Sequence, residues 1–271
     1  MTAATARVFY DGLLTEPRLD HPEGLAVHRD GSVWCGGERG QIYRIEPDGS
    51  GMEEVATTGG FCLGMAFDAH DDLYVCDLVH AAVMKLDTAS GRLERFVDGA
   101  GGRRFGIPNA PALDREGQLF VSDSHAFKEP GGGIFRFQPD GSGELWYDEP
   151  VNFANGIAFA PDGSHLYVAE TFGSAIFRIP VAEGGSAGRR EEVVSLPGVL
   201  PDGLAFDTDG TLYVGCYEPS QVLAVTPSGT VETLVADPEA HLLCHPTNLA
   251  LRGRTLFTSN LGRWHITAVE L

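Results

Sequence analysis

Short apolar segments alternate with polar turns along the whole chain, and the same order of segments recurs six times. Each repeat holds an apolar strand, a turn rich in Asp and Gly, a second strand, a loop and a third strand. In the fourth repeat these elements are residues 157–159, the turn Asp162-Gly163, and residues 166–168 and 175–179. Short runs rich in Val, Ile, Leu, Phe and Tyr between Gly and Asp clusters are typical of β-strands. The pattern therefore predicts an all-β protein.

The repeats have a nearly constant length. A fourth strand is predicted in most of them, at residues 53–56, 93–97, 144–147, 191–195 and 231–235. A period in the 40s with four short strands is typical of a β-propeller blade. Six repeats therefore predict a six-bladed β-propeller that spans residues 1–271 as a single domain. Aligned first-strand positions step by 40, 46, 46, 47 and 45 residues through Leu25, Met65, Pro111, Ile157, Leu204 and Leu249.

The two ends of the chain complement each other. The sixth repeat has no fourth strand before Leu271, and residues 6–10 form a strand that belongs to no repeat. If this strand pairs with the third strand of repeat six, at residues 265–269, two exposed sheet edges are covered at once. We therefore expect the N-terminal strand to complete the last blade and close the ring.

Composition and charge narrow the functional classes. Apolar residues make up 43% of the chain, and the formal net charge is −19 at pH 7. Such an acidic protein is a poor partner for nucleic acid or for an anionic membrane surface, but it suits a cation. The sequence has no run of about 18 apolar residues and no apolar signal segment at its N-terminus. We expect a cytoplasmic protein, a monomer or a dimer, that acts on a small molecule.

The cysteines are odd in number and include no CxxC pair. In a reducing compartment they are expected to be unpaired and buried. A cysteine nucleophile is the alternative interpretation. The five are Cys35, Cys62, Cys76, Cys216 and Cys244.

Oxygen-bearing side chains recur at the position just before the first strand of the repeats. First strands line the central channel of a propeller, so these side chains would meet at one mouth of it. Asp or Asn beside Gly is also ordinary turn chemistry. However, the hairpin turns are filled separately, and buried polar groups need partners, which a cation supplies. We call this position the column, and its members are Glu23, Leu63, Asn109, Asn155, Asp202 and Thr247.

The column predicts a metal site, with turn chemistry alone as the alternative. Two carboxylates, Glu23 and Asp202, and two amides, Asn109 and Asn155, suit a hard cation. Ca²⁺ is the first choice because it tolerates irregular geometry, Mg²⁺ and Mn²⁺ are possible, and Zn²⁺ more often takes Cys or His. Four protein ligands leave positions for water and substrate, which a catalytic metal site requires.

The chain resembles the senescence-marker-protein/gluconolactonase family of six-bladed propellers over essentially its whole length. The column carries this resemblance, together with PDGSHLYVAET at residues 161–171 and GGIFRFQPDG at residues 132–141. The resemblance implies that Glu23, Asn155 and Asp202 bind a divalent metal and that Asn109 contacts substrate. It also implies lactone hydrolysis.

One position departs from that family. Its sugar lactonases often carry an Arg two residues before the third-blade Asn, where it grips substrate hydroxyls. This chain has Ile107 there, and Arg103 and Arg104 lie further upstream. The departure puts a highly hydroxylated substrate in question.

The leading hypothesis is metal-dependent opening of a lactone ring, of a sugar-type or related small lactone. The ion would polarise the carbonyl, and Asp202 would act as general base. Asn109 and Asn155 would orient substrate and metal. Further substrate contacts are predicted at Arg104, His125, Thr247 and His245.

Two other functions stay open on the same frame. A phosphotriesterase of the diisopropyl-fluorophosphatase type resembles this family and uses a similar set of Glu, Asn, Asn and Asp. A non-catalytic propeller would bind calcium or a partner protein without turnover. A strictosidine-type synthase shares the frame, but its active-site glutamate has no assignable position here. The loop at residues 124–132 either covers one mouth of the channel or is a solvated connector.

Overall fold

A computed structural model describes residues 5–271, and their regular secondary structure is entirely β. The first thirteen strands are β1 (Thr5–Asp11), β2 (Leu25–Val27), β3 (Val33–Gly36), β4 (Gln41–Ile45), β5 (Met52–Thr57), β6 (Cys62–Phe67), β7 (Asp72–Asp77), β8 (Ala82–Asp87), β9 (Arg92–Val97), β10 (Gly99–Ala100), β11 (Arg103–Arg104), β12 (Pro108–Leu113) and β13 (Leu119–Asp123). The remaining strands are β14 (Gly133–Phe137), β15 (Gly143–Tyr147), β16 (Ala154–Phe159), β17 (His165–Glu170), β18 (Ala175–Pro180), β19 (Glu191–Ser195), β20 (Leu200–Phe206), β21 (Leu212–Glu218), β22 (Gln221–Val225), β23 (Val231–Ala236), β24 (Pro246–Arg252), β25 (Thr255–Asn260) and β26 (His265–Glu270).

The strands form a six-bladed β-propeller. Blades one to five are the antiparallel sheets β2-β3-β4-β5, β6-β7-β8-β9, β12-β13-β14-β15, β16-β17-β18-β19 and β20-β21-β22-β23. Blade six has the order β24-β25-β26-β1, so the N-terminal strand is its outermost member. The pairing of β1 with β26 is antiparallel and runs from Thr5 opposite Glu270 to Asp11 opposite His265. The predicted closure of the ring is confirmed.

The predicted strands are observed in all six repeats, including each fourth strand. A short hairpin, β10 with β11, was not predicted and follows blade two. Within residues 5–271, no helix is long and apolar enough to cross a membrane.

The apolar core lies between consecutive blades because a single four-stranded sheet cannot cover both of its own faces. Phe120 packs edge-on against Trp146 of its own blade three, with ring centroids 5.1 Å apart. It packs in the same way against Phe159 of blade four, at 5.0 Å. Tyr167 of blade four meets Phe206 of blade five in the same way, at 4.9 Å. These contacts hold the blades in a ring and fix the positions of the first strands around the channel.

The two faces of the ring carry different loops because each blade is an antiparallel meander. On one face, which we call the entry face, the chain enters each first strand and leaves each second strand. On the other, the turn face, lie the hairpin turns between first and second strands and between third and fourth strands. The loop at residues 124–132 follows β13 and therefore belongs to the entry face.

The five cysteines are buried and unpaired, as expected. Burial raises the pKa of Cys62 and of Cys216 to about 12. Thiols held in this neutral, enclosed form are poor nucleophiles. The structure therefore gives no support to a cysteine nucleophile.

Candidate metal centre at the mouth of the channel

Regular pairing between the first two strands is interrupted at the column. In blade four the register shifts between Ala154 and Ile157, and in blade five it shifts between Pro201 and Leu204. Blades two, three and six have the same irregularity, at Leu63, Asn109 and Thr247. Such an interruption re-aims side chains out of the alternating pattern of the strand. It explains how the column residues of different blades can direct their side chains to one site at the ends of the first strands.

Glycine follows the column residue in four of the repeats, where the next blade lies close to the backbone. A Cβ atom at Gly156 would lie 2.3 Å from the carbonyl oxygen of Asp202, and one at Gly203 would lie 2.5 Å from that of Thr247. A Cβ atom at Gly24 would lie 2.0 Å from the carbonyl oxygen of Leu63. No side chain fits at such distances. The glycines therefore let adjacent column residues approach one another around the axis.

Three oxygens of the column are buried without a partner. Glu23, Asn109 and Asp202 are only 4–5% exposed. Within residues 5–271, Glu23 Oε2, Asn109 Oδ1 and Asp202 Oδ1 accept no hydrogen bond. A buried polar atom without a partner costs about 1–3 kcal/mol, and more when it is charged. These three oxygens therefore lack a partner, which a cation or a hydrogen-bond donor would supply.

The two carboxyl groups of the column hold their protons more tightly than usual. Burial raises the pKa of Asp202 to about 7, against a weaker opposing effect of Asn155. Burial raises the pKa of Glu23 well above its ordinary value, the charge of Asp202 raises it further, and Thr247 opposes the change. Because the charge of Asp202 acts on Glu23, the two carboxyl groups lie within electrostatic reach of each other. A cation placed between them would reverse both effects.

Hydroxyl groups fix the two amides of the column. Asn109 Nδ2 donates to Ser124 Oγ at 3.0 Å, and Asn155 Nδ2 donates to Thr171 Oγ1 at 3.2 Å. With their nitrogens engaged inside the protein, the amides keep their oxygens for a ligand. The same hydroxyls donate to the backbone of the next blade, at Ala154 and Pro201.

Glu23 is anchored by the blade that closes the ring. Its carbonyl oxygen accepts hydrogen bonds from Thr247 Oγ1 at 3.0 Å, Asn248 Nδ2 at 3.0 Å and Ser259 Oγ at 2.6 Å. The Thr247 hydroxyl is therefore engaged by the backbone, and its contact with substrate stays a prediction. Leu63, the apolar member of the column, packs in the core cluster between blades two and three.

The chain is similar to known proteins over most of its length. The family model described as the SMP-30/Gluconolactonase/LRE-like region matches residues 39–259 of the chain. A second model, described as strictosidine synthase-like, N-terminal, matches residues 13–45. The chain belongs to the SMP-30/gluconolactonase/LRE-like family. Among its relatives, the L-arabinolactonase of Azospirillum brasilense is 28% identical over 250 residues, which cover 85% of this chain and 80% of the relative.

Some relatives are longer than this chain and are named as strictosidine synthase-like proteins. Strictosidine synthase-like protein 4 of Arabidopsis thaliana is 27% identical over 215 residues, which cover 72% of this chain and 56% of that protein. The chain thus spans about half the length of such relatives. A solved gluconolactonase structure from Xanthomonas campestris has a TM-score of 0.83 at 23% identity, and the match covers 99% of this chain and 90% of that one. It shares the fold.

Residues at the ends of the second strands hold the loops of the entry face in this family member, and the sequence pattern did not single them out. Asp123 accepts hydrogen bonds from the backbone nitrogens of Gly106, Ile107 and His125, at 3.1, 2.7 and 3.1 Å. Glu170 accepts one from the nitrogen of Asn152 at 2.8 Å in the same way. Their shared position in the repeat is the signal that could have found them.

Tyr217 is a further residue that the sequence did not reveal. It lies near the end of β21, at the register position that Ser124 and Thr171 occupy in their repeats. Burial raises the pKa of Tyr217, and the charges of Glu23 and Asp202 raise it further. The phenol therefore lies within electrostatic reach of the acidic pair and stays protonated at neutral pH.

The other predicted contacts have their own partners. His245 stacks on Tyr217 with ring centroids 4.5 Å apart, and its Nδ1 lies 3.2 Å from Glu218 Oε1. The Arg104 side chain is 76% exposed and forms an ion pair with Asp98. His125 is exposed and is the second residue of the loop at residues 124–132. Their contacts with substrate stay predictions.

Two other features lie apart from the column. A groove of about 590 Å³ runs between blades three and four, and its lining includes Asp114, Arg115 and Pro161 of the turn face. Asp20, His21 and Glu38 bring three possible metal-ligating atoms within 4.8 Å of one another. Asp20 is already paired with Arg39, however, at 2.7 Å. Neither feature contains a column residue.

Proposed function

We propose that the protein is a lactonase that depends on a divalent cation bound at the column. One observation carries the proposal: Glu23, Asn109 and Asp202 each keep a buried oxygen that nothing in residues 5–271 satisfies. Membership of the SMP-30/gluconolactonase/LRE-like family supports lactone opening as the reaction. So do the lactonases among the relatives, including the 6-deoxy-6-sulfogluconolactonase of Pseudomonas putida, which is 25% identical over 241 residues.

Glu23, Asn155 and Asp202 would hold the cation, and Asn109 would face the substrate. All of these donors are oxygens, which favours a hard ion. Ca²⁺ is the first candidate, ahead of Mg²⁺ and Mn²⁺, and Zn²⁺ is the least suited because the column offers neither Cys nor His. The two carboxylates would balance the charge of a divalent ion.

The residues of the chain have separate tasks in the proposed reaction. When bound, the cation supplies positive charge that stabilises the negative charge developing on the lactone carbonyl oxygen. Asp202, through its unpartnered Oδ1, accepts a proton from the attacking water as general base. Asn109 accepts a hydrogen bond from water or substrate at Oδ1. Tyr217 is protonated and can donate a hydrogen bond to the ring oxygen as the ring opens.

The experiment is a lactone panel run with and without metal. Protein treated with chelator is assayed by proton release, alone and after addition of Ca²⁺, Mg²⁺, Mn²⁺ or Zn²⁺. We expect turnover to disappear with chelator and to return with a divalent ion. Turnover that ignores chelator would reject the metal. Metal binding without turnover of any lactone would favour a non-catalytic propeller, and turnover of an organophosphate alone would favour a phosphotriesterase.

We also propose that the propeller acts as a single domain in a reducing compartment such as the cytoplasm, as a monomer or a dimer. The closed ring supports the first part because each blade packs on two neighbours. Five buried, unpaired cysteines support the second.

A further inference from the structure

Three phenylalanines pack together on the entry face, and we call Phe127, Phe153 and Phe172 the phenylalanine cluster. The ring centroids of Phe127 and Phe172 are 5.1 Å apart, those of Phe153 and Phe172 are 5.1 Å apart, and those of Phe127 and Phe153 are 6.2 Å apart. Phe127 is nevertheless 68% exposed. Lys128 places its ammonium 5.3 Å from the Phe127 ring and 5.8 Å from the Phe172 ring. The cluster is therefore an ordered apolar surface that is open to solvent.

The cluster adjoins the two amides of the column through the chain itself. Phe172 directly follows Thr171, whose hydroxyl accepts from Asn155 Nδ2. Phe153 precedes Asn155 by two residues, and its carbonyl oxygen accepts from the Thr171 nitrogen at 3.2 Å. Two members of the cluster are thus tied to the residue that fixes Asn155.

The loop that carries Phe127 is fastened to the same place. It begins at Ser124, whose hydroxyl accepts from Asn109 Nδ2. Near its end, Gly131 and Val151 exchange backbone hydrogen bonds at 3.1 and 3.2 Å, just before β16. Phe127 therefore packs on the entry-face segments of blades three and four, the two blades whose first strands carry Asn109 and Asn155.

Exposed apolar side chains are concentrated on this face of the molecule. Among residues 5–271, Phe127 is the only exposed large apolar side chain that packs in an aromatic cluster. Apolar surface left in water is unfavourable by about 25 cal/mol per Å², so an ordered exposed ring is a candidate contact for an apolar ligand group. The exposed large apolar residues of the entry face are Leu13, Leu14, Leu78, Val79 and Phe127, and Val231 at the start of β23 is the other one.

The blade-three side of the mouth offers few donors to a polyhydroxylated ligand. Ile107 lies two residues before Asn109 and packs against the core cluster between blades two and three. Arg104 is engaged by Asp98. Tyr217 and His245, which stack on each other, belong instead to blade five and to the entrance of blade six. Beside the two amides, the side of blades three and four thus presents the phenylalanine cluster, whereas the side of blades five and six presents Tyr217 and His245.

We propose that the substrate is a lactone with an apolar substituent, an alkyl chain or an aryl group, which packs on the phenylalanine cluster. The lactone carbonyl would face the column and the substituent would lie over blades three and four. This proposal rests on the proposed lactonase function. It separates the protein from enzymes whose substrates are bare, polyhydroxylated sugar lactones.

The first test is a homologous series of γ-lactones that bear alkyl chains of increasing length, measured beside sugar lactones. Each methylene that is buried on the cluster should raise kcat/KM about three- to fourfold, until the chain outgrows the cluster. A flat series, or a sugar lactone preferred tenfold or more over every alkyl lactone, would overturn the proposal.

Variants assign the effect to the cluster. Phe127→Ala should flatten the dependence of kcat/KM on chain length, while the affinity for the divalent ion stays within about twofold. Phe127→Leu should retain most of the increase in kcat/KM with chain length. The matched control is Leu14→Ala, because Leu14 is 93% exposed on the same face but outside the cluster. A slope unchanged in Phe127→Ala, or lost equally in Leu14→Ala, would contradict the proposal.

A binding measurement separates this proposal from the proposed function. Cyclopentanones with the same alkyl series resemble the lactones but cannot be hydrolysed, and calorimetry reports their affinity whether or not the protein turns over any lactone. Affinity that rises with chain length and falls in Phe127→Ala supports the apolar subsite even if catalysis is absent. Hydrolysis of lactones with no dependence on chain length would leave the lactonase standing and remove the subsite.

Discussion

The acidic residues on the two faces of the ring have the same side-chain chemistry in opposite surroundings. On the turn face, Asp162 Oδ1 accepts hydrogen bonds from the nitrogen and the hydroxyl of Ser164, at 2.9 and 2.6 Å, which lowers its pKa. At the mouth, Glu23 and Asp202 are about 5% exposed, each leaves an oxygen unpartnered, and their pKa values are raised. Local turns satisfy the first kind of carboxylate, whereas the second kind needs a ligand.

The two kinds of carboxylate also change the stability of the protein in opposite directions as the pH rises. A lowered pKa at Asp162 means that its contribution to stability is present at neutral pH and is lost as pH falls through the folded-state pKa. The pKa of Asp202 is raised from 3.8 to about 7, so its contribution is present below about pH 4 and is lost as pH rises through about 7. Without metal, the mouth therefore becomes less favourable in the pH range in which it would bind a cation.

The largest effect is expected from removing one charge at the mouth. Asp202→Asn keeps the shape of the side chain but removes a proposed ligand and the general base. We expect kcat/KM for metal-dependent lactone hydrolysis to fall about 10³-fold or more. Steady-state kinetics at saturating divalent ion would measure it.

The control for that variant is on the other face. Asp162→Asn makes the same change where the carboxylate has its own partners, and its kcat/KM should stay within about twofold of the unmodified protein. Equal losses in the two variants, or full activity in Asp202→Asn, would abolish the distinction between the faces.

The second effect is a stabilisation by metal that grows with pH. Ca²⁺ at about 100 times its Kd should raise Tm by about 5–10 °C at pH 8, and by much less at pH 5, where the mouth carboxyls hold their protons. Thermal melts with and without chelator at both pH values would show it. In the absence of metal at pH 8, the Asp202→Asn variant should have a higher Tm than the unmodified protein. A rise in Tm with Ca²⁺ that is equally large at pH 5 and pH 8 would count against the account.

The third effect distinguishes a buried acid that is satisfied from one that is not. Asp123 is 2% exposed, yet it accepts three backbone N–H groups. Asp123→Asn turns an NH₂ group toward some of these donors and should lower the free energy of unfolding by about 1–3 kcal/mol. Because Asp123 is not a proposed ligand, the Ca²⁺-induced rise in Tm should survive. Loss of that rise would make Asp123 part of the metal centre.

The smallest effect belongs to the turn face. Ser164→Ala removes one of the two donors to an exposed carboxylate, so Tm should move by no more than about 2 °C, with or without metal. Differential scanning fluorimetry is sufficient for this comparison. A large loss would mean that the turn aspartates also support the ring.

The sequence was sufficient for the fold because the strands repeat with one period and their turns carry Asp and Gly. The column was found for the same reason, since it occupies one register position in each repeat, and its role as a metal site stays a prediction. Tyr217 and Asp123 were missed because their roles depend on how loops return to the second strands. The phenylalanine cluster was missed because Phe127 reaches the other two rings through a loop with no period. Arg104 was chosen for its closeness in sequence to Asn109, and His125 for its place in the loop at residues 124–132. Neither ground fixes the direction of a side chain.

A calorimetric titration of Ca²⁺ into chelator-treated protein at pH 8 tests the central claim most directly, with Asp202→Asn and Asp162→Asn titrated in parallel. The account predicts one ion per chain, an affinity at least about 100-fold weaker in Asp202→Asn, and an unchanged affinity in Asp162→Asn. At pH 7 the binding should also release protons, because the carboxyl groups of the mouth must ionise. No binding by the unmodified protein, or equal binding by both variants, would contradict it.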